Sequence, residues 1–271
     1  MSKAKTIGVI SIKGGVGKTT TTSNLGAVLA NDFHKKVLIV DANFSAPNLG
    51  LHLGMVNPKK TIHDVLTDKI SIDRAIYQHF NGFHVIPGSL LTKRVNPYKL
   101  KEKLEMLKEY YDVIVIDSSP TLNEELLSTM IASDELLVIS SPDYPTLSMT
   151  LRAVKIAKQK NTPIKGIVLN KVRNKKFELT KEEIEKTSAI PILSILPDDT
   201  KVLEALSETV PAALHKPRRK ISKEYRRLAA QLIGEEYGQK NILTKVKDFI
   251  ENDWNKTKEL FEPLLKRGDK K

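Results

Sequence analysis

Cysteine is absent from the whole 271-residue chain. That excludes disulfides, thiolate metal sites and iron–sulfur clusters. Long hydrophobic runs are missing too, and no stretch approaches the roughly 18 apolar residues of a membrane-spanning helix. The first five residues lead into an apolar run too short for a secretory signal, so the expected location is cytoplasmic. Aromatic residues make up only 6% of the chain, with one tryptophan. Acidic residues are the minority charge, 32 against 44 lysines and arginines, which leaves a net charge of +12. An excess of this size suits a polyanionic partner, either nucleic acid or an anionic membrane surface. It equally suits a lysine-rich proteome such as that of a thermophile.

What is present is an ordinary core-forming composition, 40% apolar and 28% charged. Short apolar runs rich in β-branched residues fall at 6–12, 36–40, 83–87, 112–117, 135–141, 164–170 and 190–196. Each reads as a buried strand. Helical patterns lie between them, among them 18–29, 97–110, 123–132 and 148–160. Alternation of this kind, with several strands lacking a polar face, predicts an α/β fold: a doubly wound, mainly parallel sheet with flanking helices. The expected division is one domain over residues 1–237 and a helical tail over 238–271.

The first strand runs into Lys13-Gly14-Gly15-Val16-Gly17-Lys18-Thr19-Thr20, and a helical pattern follows at once. Glycines let successive backbone N–H groups turn toward phosphate oxygens, Lys18 adds positive charge, and the Thr19 hydroxyl is a ligand for Mg²⁺. This is a phosphate-binding loop in its required strand–loop–helix setting, with ATP as the expected nucleotide. The general pattern opens with a glycine where this chain has Ile12. From spacing alone, Lys13 is either a solvated loop charge or a second phosphate ligand. The second strand ends in Asp41 and the fourth in Asp117, and acids at the carboxyl ends of parallel strands face the ligand crevice. Asp117 suits a magnesium-holding position opposite Thr19, and Asp41 suits the magnesium shell or its water.

Residues 13–20 resemble the deviant Walker A motif of the ParA/MinD family of ATPases, several of which also lack the opening glycine. The resemblance implies that Lys13 reaches across an ATP-bound homodimer to the partner's phosphates, with Lys18 serving its own site. Residues 41–50 are similar to switch I, where the family usually has Asp-x-Asp. The second aspartate, assigned there to the attacking water, is Asn43 here. An amide can hydrogen-bond a water but cannot accept its proton, so slow intrinsic hydrolysis is expected. Residues 118–121 resemble switch II. Asn170-Lys171 and Pro197-Asp198-Asp199 resemble the adenine-side loops, with Asn170 facing the base. The likeness covers about residues 5–235, including Val202, Ala205, Pro211, Pro217, Ser222, Tyr225, Leu228 and Ala229 near its end.

The implied function is a dimerising positioning or partitioning ATPase acting on DNA or a cell-surface structure, helped by an activating partner protein. Such a protein is nucleoid-associated or peripheral at the inner membrane face. Cluster-carrier ATPases of this fold use cysteines, which this chain lacks. A small-molecule ligase of the dethiobiotin-synthetase type shares the fold and loop and is the alternative. Two basic clusters are candidates for nonspecific DNA: Lys171, Arg173, Lys175 and Lys176, and then Lys216, Arg218, Arg219, Lys220, Lys223, Arg226 and Arg227. Solvated helix faces account for such runs equally well. In the tail, Leu243, Val246, Ile250, Trp254, Phe261 and Leu264 recur at helical spacing, which suits packing or an anionic membrane surface. Asp248, Glu251, Asp253, Glu259 and Glu262 dilute the tail's charge, and Pro263 interrupts its last turn.

Overall fold

Strands buried on both faces need helices on both sides, and the burial patterns meet that condition. In the computed structural model, which describes residues 3–91 and 94–237, β2 (Val37–Ala42) and β5 (Val113–Ser118) are buried at every position. The other strands are β1 (Lys5–Ile10), β3 (Tyr77–Gln78), β4 (His84–Ile86), β6 (Glu135–Ser140), β7 (Ile164–Val172) and β8 (Ile192–Pro197). They form one sheet in the order β3-β4-β2-β5-β1-β6-β7-β8. Every pairing is parallel except β3 with β4, so the expected mainly parallel sheet is observed.

The helices are α1 (Lys18–Asn31), α2 (Leu49–His52), α3 (Ile62–Leu66), α4 (Leu100–Glu105), α5 (Glu124–Ala132), α6 (Tyr144–Gln159), α7 (Lys181–Ser188), α8 (Lys201–Ser207), α9 (Ala212–His215) and α10 (Lys220–Ile233). Because side chains alternate along a strand, β2 sends Val37 and Ile39 into a core shared with Leu25 of α1 and Leu228 of α10. Leu38 and Val40 enter the opposite core, with Val65 of α3 and Leu104 of α4. A third core joins β6 and β7 to Met130 of α5 and Val154 of α6. Helix α10 turns Ile221, Tyr225, Leu228, Ala229 and Leu232 inward, while Lys220, Lys223 and Arg227 stay exposed.

Several boundaries differ from the sequence expectation, and three of the differences have a visible cause. Helix α6 begins at Tyr144 rather than 148, because Asp143 accepts the Thr146 N–H as an N-cap and Pro145 suits the first turn. The pattern over 97–110 is not one helix. A 3₁₀ turn (Pro97–Lys99) precedes α4, and beyond Glu105 the Leu107, Lys108 and Tyr110 N–H groups bond three residues back. The Lys108 carbonyl there accepts from Ala4 N at 2.7 Å, which ties this turn to the entry of β1. β7 runs on to Val172, whose carbonyl accepts from Asp198 N at 3.0 Å. Within β7, a Cβ on Gly166 would lie 2.8 Å from the Pro191 carbonyl oxygen, so the close approach of the chain before β8 needs glycine.

The sheet sets the place for a ligand. β1 and β6 are neighbours, and the chain leaves β1 toward β2 on one side and β6 toward β7 on the other. Crevices form at the carboxyl ends of strands at such a switch point. Among the described residues, no helix is long and apolar enough to cross a membrane. The apolar and acidic tail positions named above lie outside the described residues.

Candidate nucleotide site

From the carboxyl end of β1 the chain turns through residues 11–17 and enters α1 at Lys18. Gly15 and Gly17 sit at φ of +72° and +103°, in the left-handed region that disfavours any Cβ. At Gly17 a Cβ would also fall 2.3 Å from Nδ2 of Asn170. That amide donates to the Val16 carbonyl at 2.7 Å, and its Oδ1 accepts from Lys171 N at 2.9 Å. The residue expected to face the base therefore also fastens the phosphate loop to β7.

Lys18 is only 7% exposed, and its Nζ donates to the Lys13 carbonyl at 3.4 Å. Burial lowers its pKa, while the Asp117 charge works in the opposite direction. Thr19 Oγ1 lies 2.7 Å from Asp117 Oδ2 and 3.0 Å from Asn48 Oδ1, so its one proton has two acceptors to choose between. Asp117 ends β5 directly beside Asp41 of β2, in register across the sheet. Asp41 accepts from Asn43 N at 3.1 Å and Leu49 N at 3.0 Å. Burial pushes both carboxyl groups up, and the Asp117 charge raises Asp41 further. Thr19 and Lys18 pull Asp117 back toward ionisation.

Two buried carboxylates beside a threonine hydroxyl form an oxygen-only donor set, which suits a hard divalent cation. Mg²⁺ placed here would offset the burial that raises both carboxyl groups and the Asp117 charge that raises Asp41 further, so the residues fit the ion. Thr19 and Asp117 would hold it, with Asp41 in its outer shell. Bound Mg²⁺ supplies charge neutralisation on the β- and γ-phosphates.

The switch-I-like segment closes on itself. Beyond the two N–H groups held by Asp41, Asn43 Nδ2 donates to the Ala46 carbonyl at 2.6 Å. A Cβ on Gly88 would lie 2.3 Å from Pro47 Cβ, so the turn after β4 presses directly against this loop. Lys13 behaves differently from Lys18. Its Nζ lies 3.2 Å from Asp143 Oδ1 and donates to Thr146 Oγ1 at 2.5 Å, at the start of α6. Burial opposes ionisation of Asp143, but hydrogen bonds from Ser141, Thr146 and Lys13 prevail and hold it at about 2.

A cleft of about 530 Å³ brings together Gly14, Gly15, Gly17, Lys18, Thr19, Thr20, Asn43, Asn170, Pro197 and Asp198. Lys13, Val16, Asp41 and Asp117 are not among its lining residues. Several residues that the sequence reading did not assign to the site join it, among them Asn48, His52 and Thr200. Asn48 was legible only as part of a loop, since its partner Thr19 lies 29 positions away. The basic clusters are partly diverted to this cleft. Arg173 Nε pairs with Asp198 at 2.6 Å and Arg219 Nη2 with Asp199 at 2.9 Å, bracing the rim. Arg226 pairs with Asp32 at 3.1 Å and Arg227 with Glu224 on its own helix.

This geometry agrees with comparisons to known proteins. Residues 4–166 match the AAA domain family. An uncharacterized ATP-binding protein of Methanocaldococcus jannaschii is 32% identical over 90% of this chain and 93% of its own length. The septum site-determining protein MinD of Thermotoga maritima is 30% identical, covering 96% of this chain and 98% of that one. The structure of the septum site-determining protein MinD of Pyrococcus horikoshii, complexed with Mg-ADP, superposes with a TM-score of 0.81 at 30% identity. It covers 84% of this chain and 96% of that one.

Fold and site define a P-loop ATPase that uses ATP with Mg²⁺. Within that class, the chain belongs to the ParA/MinD family.

Replacing Lys18 by Ala removes the buried ammonium from the cleft while leaving the loop backbone in place. Lys18→Ala is expected to abolish binding of a fluorescent ATP analogue while the circular dichroism spectrum stays that of the wild type. Retained binding at wild-type affinity would show that Lys18 is dispensable for holding phosphate.

Proposed function

We propose that this chain is a nucleotide-operated positioning switch, which forms a face-to-face homodimer on Mg·ATP and in that state engages an anionic cellular surface. The observation that carries the reading is the second lysine of the phosphate loop. Lys18 lies in the chain's own cleft, whereas Lys13 lies outside it and is drawn to Asp143 and Thr146. A loop lysine with no duty in its own site is available to the phosphates of a second copy. Kinship with septum site-determining proteins supports a role in positioning for cell division. An activating partner protein completes the cycle by hastening hydrolysis.

Nonspecific DNA is the favoured surface among the described residues, because an exposed basic strip survives the internal pairing described above. Arg218, Lys220 and Lys223 are exposed and make no ion pair among the described residues, and Lys175 and Lys176 are likewise exposed and unpaired. The tail over 238–271, proposed as a separate helical element, is the membrane-directed alternative and lies outside the described residues.

The dimer is tested by light scattering coupled to size exclusion. Wild type is expected to be monomeric without nucleotide and dimeric with Mg·ATP. Lys13→Ala is expected to bind the ATP analogue normally and remain monomeric. A Lys13→Ala protein that dimerises with ATP refutes the trans role.

The surface is tested by ATP-dependent cosedimentation with duplex DNA and, separately, with anionic liposomes. DNA affinity is expected to fall with salt at a log–log slope of about −0.9 per phosphate contacted. Reversing the charges of Arg218, Lys220 and Lys223 together is expected to weaken binding to all duplexes alike. Unchanged DNA affinity in that variant, with ATP-dependent liposome binding, moves the role to the tail.

Slow turnover is the third expectation. Asn43 spends an amide proton on the Ala46 carbonyl and offers no carboxylate to the attacking water. Loss of a positioned group of this kind costs about 10²–10⁴ in rate. Asn43→Asp forfeits the Ala46 hydrogen bond, worth about 1 kcal/mol, yet gains a proton acceptor. Its steady-state phosphate release is expected to exceed that of wild type, with and without DNA. Equal or lower release shows that Asn43 already performs the task.

A further inference from the structure

The switch-I-like loop has one anchor that no motif marks. Ser45 Oγ donates to Glu125 Oε1, joining positions 80 residues apart. Ser45 is exposed on the loop after β2, whereas Glu125 is 7% exposed in the first turn of α5. Its second oxygen, Oε2, is buried with no hydrogen-bond partner. A carboxylate in a helical first turn is ordinarily explained by the positive end of the helix dipole. Here the adjoining Glu124 already provides that charge from the surface, and Asn123 caps the helix by accepting Leu126 N–H. Glu125 instead turns inward, loses its water and keeps one oxygen unsatisfied, an arrangement that costs free energy. Among the described residues, its one side-chain partner is Ser45 of the loop.

Both ends of this contact lead to the magnesium and phosphate groups. Upstream of Ser45 lie Asp41 and Asn43. Upstream of α5 lie Asp117 and the switch-II-like residues 118–121. Asp41 and Asp117 are already neighbours in the sheet, but the loop beyond Asp41 needs a separate hold. Its own fastenings include Asn43 to Ala46 and Thr19 to Asn48. Among the described residues, the link from Ser45 is the hydrogen bond that joins its outer turn to α5. A hydrogen bond at this position carries direction as well as energy.

We propose that Glu125 is a positioning residue for ATP hydrolysis, clamping the loop that carries Asn43 to the helix that follows the Asp117 strand. Phosphoryl transfer rests almost wholly on positioning and charge stabilisation, so a loop displaced by about 1 Å loses on the order of 10²-fold in rate. The clamp acts on the geometry of the reacting centre and not on nucleotide affinity, because neither Ser45 nor Glu125 lines the cleft.

The test separates kcat from KM in the full-length chain. Glu125→Ala and Ser45→Ala are each expected to lower kcat for phosphate release about 10–100-fold, with the KM for ATP within twofold of wild type. The double variant is expected to be no slower than the worse single one, as two halves of one contact require. Glu125→Gln retains an acceptor for Ser45 and is expected to recover most of the rate. A merely structural acid would lower the melting temperature without this split or this rescue. Wild-type kcat in Ser45→Ala, additive losses in the double variant, or a raised KM at unchanged kcat would overturn the proposal. Ser45 is exposed and its replacement leaves the core intact, so that arm stands even if Glu125→Ala fails to fold.

Discussion

Everything at the nucleotide site depends on two carboxylates that the sheet forces together in the dark. Asp41 and Asp117 end adjacent parallel strands in register, and both are essentially without solvent. Neither strand has a polar face to retreat to, so the acids cannot turn toward water. Their burial, with the Asp117 charge acting on Asp41 as well, is offset only in part by Lys18, by Thr19 and by the backbone N–H groups of the loop after β2. That imbalance makes the site a receptor for a divalent cation with its phosphate cargo. It also gives the loop a reason to fold back over Asp41, since Asn43 and Leu49 N–H groups are what Asp41 can reach.

The phosphate loop is held from outside as much as from within. Asn170, on the far side of the switch point, takes the Val16 carbonyl and occupies the space that any side chain at Gly17 would need. Glycine here serves two ends at once, a left-handed turn and room for a tether. On the rim, Arg173 and Arg219 hold Asp198 and Asp199, so the loop at 197–199 is set by charge pairing with segments before and after it. The Arg173–Asp198 pair is exposed and adds little to stability, whereas the Asp199 carboxylate is largely buried under Arg219.

The basic surplus of the chain thus has two destinations. Part of it is internal: Arg226 reaches Asp32 and the Pro217 carbonyl, joining α10 to the end of α1. Part faces outward from α10 and from the turn after β7, where Lys220, Lys223, Lys175 and Lys176 are exposed and make no side-chain ion pair among the described residues. Lys13 belongs to neither group. Its partner Asp143 caps α6, so any movement of Lys13 toward a second nucleotide exchanges an ion pair within one chain for contacts between two.

Much of the fold was legible because the strands lack polar faces. A run such as Val113 to Ile116 can only be buried on both sides, and buried parallel strands demand helices between them. The phosphate loop was legible for the same local reason, since glycine spacing, Lys18 and Thr19 follow one another directly after their strand. Helix ends were less so: the start of α6 turned on reading Asp143 and Pro145 as a cap, and the short edge strand β3 carries no pattern of its own. What no reading of the chain could supply is partner choice across long separations. Glu125 looks like any acid at a helix start until Ser45 is found beside it, and Arg219 looks like one more solvated cation until Asp199 is. Strand faces, turns and loop chemistry are decided by neighbours a few residues away. Which acid meets which hydroxyl or arginine is decided only when the sheet order brings distant segments within hydrogen-bond reach.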